Sequence, residues 1–216
     1  MASTLKVKHG EAAAERDSVL FDQIEYAWPV LAGLMWAAAR SSGRLNVLDF
    51  GGALGSSYFQ NRKFLQSLPD VRWNVVEQPH YVDAGRKHIQ DEQLRFYKTI
   101  AECLAENQPN VILLSSVFQY LPDPSSMLLD LKRVGSDTIV FDRTIVNHSS
   151  FDRVYVQHVP APIYSASYPC RSFSESALLA ALGKSYLALC EFPSLNFPAL
   201  NAIESEFKGY IFTRRD

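Results

Sequence analysis

Two short stretches hold the residue types and spacings from which a binding chemistry can be built. In LNVLDFGGALGSSYF, residues 45–59, an apolar run ends in an acid, then enters a glycine-rich turn and an amphipathic stretch. A turn without side chains lets a ligand come close to the backbone at the carboxyl end of a strand. Asp49, Gly51 and Gly55 fill three positions of a DxGxGxG pattern, and Ala53 replaces the middle glycine. The GxGxxG spacing of dinucleotide-binding proteins is absent, which favours a nucleoside ligand without a pyrophosphate over a nicotinamide or flavin. Glycines of this kind also make ordinary strand-to-helix turns. The second stretch is WNVVE, in which Glu77 ends a strand one βαβ unit after the turn. A carboxylate there can accept hydrogen bonds from two vicinal ribose hydroxyls, whereas an isolated glutamate would simply be a solvated surface residue.

A third stretch, SSVFQYLPDP, follows the apolar run VILLS and brings Ser115, Ser116 and Gln119 to the carboxyl end of another strand. Such residues face the same crevice as a glycine turn in an open α/β sheet. The LPDP portion makes a turn and caps the next helix, with Pro124 near its start.

These residues must be positioned by alternating strands and helices. Short apolar runs at 45–50, 71–76, 94–97, 111–115 and 138–142 alternate with amphipathic stretches at 57–68, 81–89, 100–106 and 124–134. That is the signature of βαβ units, in which continuously apolar strands are covered on both faces. Before them, helical spacing from Ser18 to Arg40 predicts a helix capped by Asp17 or Ser18 and kinked or split at Pro29, making 18–42 a helical cap. Residues 1–17 read as a flexible leader. Residues 147–173, with three prolines and little periodicity, read as a long functional loop. A helix at 174–182 and strands at 186–192 and 208–213 close the chain, the two strands as an antiparallel pair.

Composition narrows the classes. The chain has 216 residues, 21 basic and 23 acidic side chains, a net charge of −2 and 47% hydrophobic residues. One globular domain over 18–216 with a real core is expected, and the absence of a basic excess argues against a nucleic-acid binder. The longest apolar stretch falls short of the ~18–20 residues that span a bilayer, and the amino terminus lacks a secretory apolar core. No membrane association and a cytoplasmic location are expected. Three cysteines without CxxC spacing suit reduced thiols, and no metal-ligand cluster is evident.

The glycine turn, the strand-end acid and the strand followed by LPDP together resemble a class I S-adenosylmethionine (SAM)-dependent methyltransferase. More narrowly, DFGGALGSSYFQNRKFL, WNVVEQPHYVDAGRKHI, LRFYKTI, VILLSSVFQYLPDP, FDRT, APIYSASYP and KGYIF are similar, in that order, to segments of a small bacterial family of such methyltransferases, from about Arg16 to Thr213. The resemblance implies a Rossmann-like α/β fold with a mostly parallel seven-stranded sheet, an antiparallel C-terminal strand and an N-terminal helical cap. It implies SAM as cofactor and S-adenosylhomocysteine (SAH) as product. Asp49, Gly51, Gly52 and Gly55 would surround the methionine portion, Glu77 would hold the ribose, and Gln78 would lie beside the adenosine. Tyr97, Lys98 and Thr99 would neighbour the adenine, and Ser115, Ser116 and Gln119 would close the pocket. The family's association with surface polysaccharides implies a small-molecule or saccharide acceptor. The family tends to place aromatic residues after SYP, but this chain has Cys170, Arg171 and Ser172 before Phe173, which leaves the acceptor open.

On the acceptor side, Asp142, Arg143 and Thr144 end the strand TIVFD. A carboxylate there can orient or deprotonate an acceptor and a guanidinium can fix an anion, yet a structural ion pair accounts for the same two residues equally well. His158 is a candidate general base by residue type, although a lone histidine in a proline-rich segment is more often structural. His148 has a weaker case. Tyr155, Tyr164 and Tyr168 form a candidate acceptor wall, with Arg171 beside them, although aromatic residues there also simply pack. The main reading is methyl transfer to a hydroxyl, carboxyl or amine. The alternatives are transfer or cyclisation of the aminocarboxypropyl arm with release of methylthioadenosine, or a non-catalytic SAM-binding module. The oligomeric state is open.

Overall fold

A computed structural model describes residues 1–16, 19–159, 165–194 and 204–215. The chain forms two compact units, one of Met1–Leu114 with Ser136–Val140 and the other of Ser115–Gly135 with Phe141–Asp216.

The first unit begins with α1 (Ala2–Lys8), followed by the antiparallel pair β1 (Ala14–Arg16) and β2 (Val19–Phe21). The expected flexible leader is therefore structured in part: α1 buries Thr4 and Val7, and Lys8 Nζ donates to Ile89 O at 2.8 Å. The helix expected from residue 18 starts only at Trp28, as α2 (Trp28–Arg40), with Pro29 in its first turn. Proline lacks an N–H that the first turn does not use, so Pro29 opens this helix instead of kinking it. Asp17 and Ser18, the expected caps, lie outside the described residues.

The repeat that follows comprises β3 (Arg44–Phe50), α3 (Ser56–Leu65), β4 (Asp70–Val76), α4 (Pro79–Ala84) with a π-helical turn at Gly85–Ile89, β5 (Leu94–Tyr97), α5 (Ile100–Glu106) and β6 (Val111–Ser115). β3 pairs in parallel with β4, from Arg44↔Asp70 to Phe50↔Val76, and with β6, from Val47↔Val111 to Asp49↔Leu113. β4 pairs in parallel with β5, from Trp73↔Leu94 to Val76↔Tyr97. The order β6-β3-β4-β5 puts successive βα units on one side of β3 and β6 on the other. This reversal makes the carboxyl end of β3 a topological switch point, where ligands enter open α/β sheets. Leu45, Val47, Leu48, Trp73, Val75 and Ile112–Leu114 are fully buried beneath it.

In the second unit, a 3₁₀ turn at Phe118–Tyr120 precedes α6 (Pro124–Val134), whose N-cap Asp123 accepts from Ser126 N at 3.0 Å. β7 (Thr138–Asn147) starts in the first unit and ends in the second. The expected loop at 147–173 instead contains β8 (Arg153–Val159) and β9 (Ala166–Ser174), which pair antiparallel from Arg153↔Ser172 to Val159↔Ala166. Its alternation inverts the usual sign: Val154 and Val156 are exposed while Tyr155 and Gln157 are half-buried, so no inward apolar period marks the strand. β9 also pairs in parallel with the end of β7, at Val146↔Phe173 and Asn147↔Ser174. α7 (Glu175–Gly183) follows, capped by Ser174, and then the antiparallel pair β10 (Tyr186–Pro193) and β11 (Ser205–Arg214). Among the described residues the main sheet has nine strands, seven on one path with β8 and β9 off it. The fold is thus mixed α/β, with mostly parallel strands at its centre and an antiparallel strand at the carboxyl terminus.

Candidate functional site

In the first unit the turn after β3 is built from left-handed backbone. Gly51, Ala53 and Gly55 have φ of 71°, 49° and 89°, the region that L side chains rarely occupy. Gly51 N donates to Val76 O at 2.9 Å and Gly55 N to Gly52 O at 2.9 Å, so the turn is tied both to itself and to the end of β4. Asp49 is 1% exposed, and its Oδ2 accepts the indole N–H of Trp73 at 2.8 Å. A Cβ on Gly52 would lie 2.4 Å from that same Oδ2, so position 52 admits no side chain while the carboxylate points this way. Gly55, without a side-chain cap, opens α3.

Glu77 follows β4 directly and is half-buried. Its backbone N donates to Tyr97 O at 3.1 Å, and its Oε2 accepts Gln78 N at 2.5 Å. β4 runs in register with β3, so Glu77 and the glycine turn emerge at the same end of the sheet. Gln78 is exposed beside it. Tyr97 is buried and its hydroxyl is committed, donating to Glu106 Oε2 at 3.1 Å and accepting from Asn107 Nδ2 at 3.0 Å. Burial, with the Glu106 carboxylate, raises its pKa against the opposing Asn107 bond. Lys98 pairs with Asp83 at 3.0 Å, and Thr99 caps α5.

In the second unit Ser115, Asp142 and Arg143 form one cluster. Ser115 Oγ donates to Asp142 Oδ2 at 2.6 Å and accepts from Arg143 Nη2 at 2.7 Å, and Arg143 Nε lies 3.2 Å from Asp142 Oδ2. Both readings of Asp142 and Arg143 therefore start from an ion pair bridged by a serine. Ser116 (φ 57°) and Arg143 (φ 51°) are left-handed. Ser116 N donates to Asp142 O at 2.9 Å, Arg143 N to Ser194 Oγ at 3.1 Å, and Gln119 Nε2 to Arg143 O at 3.0 Å. The backbone of Arg143 is thus served by side chains, which holds a conformation that costs of order 1–3 kcal/mol. Gln119 Oε1 and Thr144 Oγ1 are buried without a hydrogen-bond partner among the described residues.

The remaining acceptor-side residues are spread out. Tyr155, Gln157 and Tyr168 lie on one face of the β8–β9 hairpin, where Tyr120 donates to Gln157 Oε1 at 2.9 Å and meets the Tyr168 ring edge-on at 5.4 Å. His158 lies on the opposite, exposed face, with Nδ1 3.0 Å from Ser167 Oγ. Arg171 pairs with Asp152 at 3.5 Å. His148 sits between Glu175 (3.4 Å) and Glu206 (3.1 Å). Tyr164 lies outside the described residues. Sequence reasoning did not single out Trp73 or Ser194. The signal for Trp73 was a tryptophan in an apolar strand, whose indole N–H must find a partner once buried.

No protein-family model and no curated protein matches the chain. Among solved structures it is similar to the N-terminal domain of EvdMO1 in the presence of SAH and D-fucose, with TM-score 0.60 and 15% identity over 97% of this chain and 94% of that chain. It is also similar to a SAM-dependent methyltransferase from Clostridium acetobutylicum ATCC 824, with TM-score 0.55 and 10% identity over 84% and 89%. A third similar structure is magnesium protoporphyrin IX methyltransferase from Synechocystis PCC 6803 with bound SAM, with TM-score 0.53 and 13% identity over 87% and 79%. At these identities the likeness is one of fold: the chain has the Rossmann-like α/β fold of these structures.

Proposed function

We propose that the chain binds SAM and transfers its methyl group to a hydroxyl, carboxyl or amine of a small metabolite or saccharide, leaving SAH. The observation that carries this reading is the turn after β3, where left-handed backbone at 51, 53 and 55 wraps a buried carboxylate so tightly that Gly52 admits no Cβ. A nucleoside with a cationic amino-acid arm suits that cradle better than a pyrophosphate, which seeks free helix N–H groups and no carboxylate. Asp49, Gly51, Gly52 and Gly55 hold the methionine portion, Glu77 accepts from the ribose hydroxyls, and Gln78 flanks the adenosine. SAM supplies a methyl group already activated by its sulfonium, so the protein's task is alignment and exclusion of water. Asp142 and Arg143 orient the acceptor as a pair fixed through Ser115. A saccharide acceptor draws support from the D-fucose present with EvdMO1.

The test is calorimetric titration with SAM, SAH and NAD in parallel. The expected result is saturable binding of SAM and SAH and none of NAD; absence of both sulfur nucleosides would overturn the reading. Glu77→Ala is expected to weaken SAM roughly tenfold or more, the value of hydrogen bonds to a charged group, and an unchanged affinity would sink the ribose assignment. His158→Ala should leave SAM affinity unchanged, because its ring lies on the exposed face of β8.

A further inference from the structure

Trp73 lies in the middle of β4 and is fully buried, with Tyr58 edge-on at 5.8 Å. Its neighbour in register on β3 is Val47, two residues before Asp49. The indole N–H nevertheless goes to the Asp49 carboxylate at 2.8 Å, and to the oxygen that lies 2.4 Å from the Cβ position of Gly52. The carboxylate is thereby clamped between a donor on the adjacent strand and the backbone of the turn. A donor to a buried carboxylate helps to set its direction, because a hydrogen bond to a desolvated charged group is costly to lose.

We infer that Trp73 is a positioning residue that, through Asp49, orients the carboxylate for the amino-acid arm of the cofactor. This rests on the SAM reading above. Trp73 is fully buried, so its effect passes through its hydrogen bond to Asp49. It should therefore alter recognition of the arm and leave recognition of the nucleoside alone.

The test measures the affinities of wild type, Trp73→Phe, Asp49→Asn and the double variant for SAM, SAH and adenosine. Trp73→Phe keeps an aromatic ring and removes the donor. It should weaken SAM and SAH roughly tenfold while moving adenosine by less than about twofold, and the double variant should be no weaker than Asp49→Asn alone. A purely structural role would reduce all three affinities together or move only the melting temperature, and either outcome would overturn the inference, as would additive effects. Should Trp73→Phe not fold, the indole N–H resonance of Trp73 in the wild type, assigned with Trp28→Phe and Trp36→Phe, serves instead. It should shift on adding SAM or SAH and stay in place with adenosine; a resonance that ignores SAM, or that responds equally to adenosine, would overturn the proposal. Wild type that binds none of the three ligands would defeat the SAM reading itself, whereas wild-type binding with no loss in Trp73→Phe would defeat only the role of Trp73.

Discussion

Gly52 packs its backbone against Asp49 so closely that Gly52→Ala forces either the carboxylate or the turn to move. Overpacking of this kind costs about 1–3 kcal/mol, so the variant should melt lower and bind SAM more weakly, as thermal unfolding and titration would register. The cysteines make a separate test at this scale. Burial, with Glu106 and Glu102, pushes the Cys103 thiol up to about 12, and burial pushes Cys170 up to about 11, while Cys190 is exposed on β10. Thiolate is the reactive form, so a disulfide reagent should label one thiol quickly in the native protein and three after denaturation. Two fast thiols in the native state would contradict the burial of Cys103 or Cys170.

At the scale of elements, the helices of the βα repeats are set by their ends. α6 starts with Asp123 accepting from Ser126 N and stops at Gly135, whose φ is 68°. Asp123→Ala should therefore cost about 1 kcal/mol in chemical denaturation. Pro29 in the first turn of α2 predicts the opposite: Pro29→Ala should change stability little, because no interior hydrogen bond is restored. β7 runs beyond the strand expected at 138–142, to Asn147. Its apolar run continues through Ile145 and Val146, yet Arg143 interrupts it in a left-handed conformation fixed by Ser194 and Gln119, contacts 51 and 24 residues away in sequence.

At the scale of the whole molecule, a charged cluster in the second unit links stability to pH. Glu175 Oε1 accepts from Tyr210 at 2.6 Å and from Lys208 at 3.0 Å, and Glu191 and Glu206 lie 3.8 and 3.5 Å from Lys208. Burial raises the pKa of Glu175, but the hydrogen bonds from Tyr210 and Lys208 and the charges of Lys208 and His148 outweigh it and bring the value below 4.5. For Lys208 burial lowers the pKa, and Glu175, Glu206 and Glu191 together raise it above 10.5. A lowered acid contributes stability that is present above its unfolded value and lost as pH falls through the folded one; a raised base contributes below its unfolded value and loses it as pH rises through the folded one. Melting temperature should thus fall below about pH 4.5 and above about pH 10.5. Glu175→Gln should flatten the acid limb, and an unchanged limb would exclude Glu175 as its source.

The βαβ rhythm, the glycine turn and the strand-end glutamate were legible because each is encoded over neighbouring residues: β3 to α6 fall within a few residues of the apolar periods. The resemblance carried by those motifs led to the fold that the solved structures share with the chain. Other features needed the folded chain. The β8–β9 hairpin was not legible because its valines face outward, and the helical spacing before Trp28 carried no sign of β2. The side-chain partners were least legible of all. That Trp73 holds Asp49, that Ser115 bridges Asp142 and Arg143, and that Tyr97 turns its hydroxyl to Glu106 and Asn107 depends on which strands pair and in what register. Local propensity specifies a strand and a turn, but the direction of a buried polar group is decided by the donors that distant segments bring to it, because leaving it unpaired costs more than the choice of rotamer.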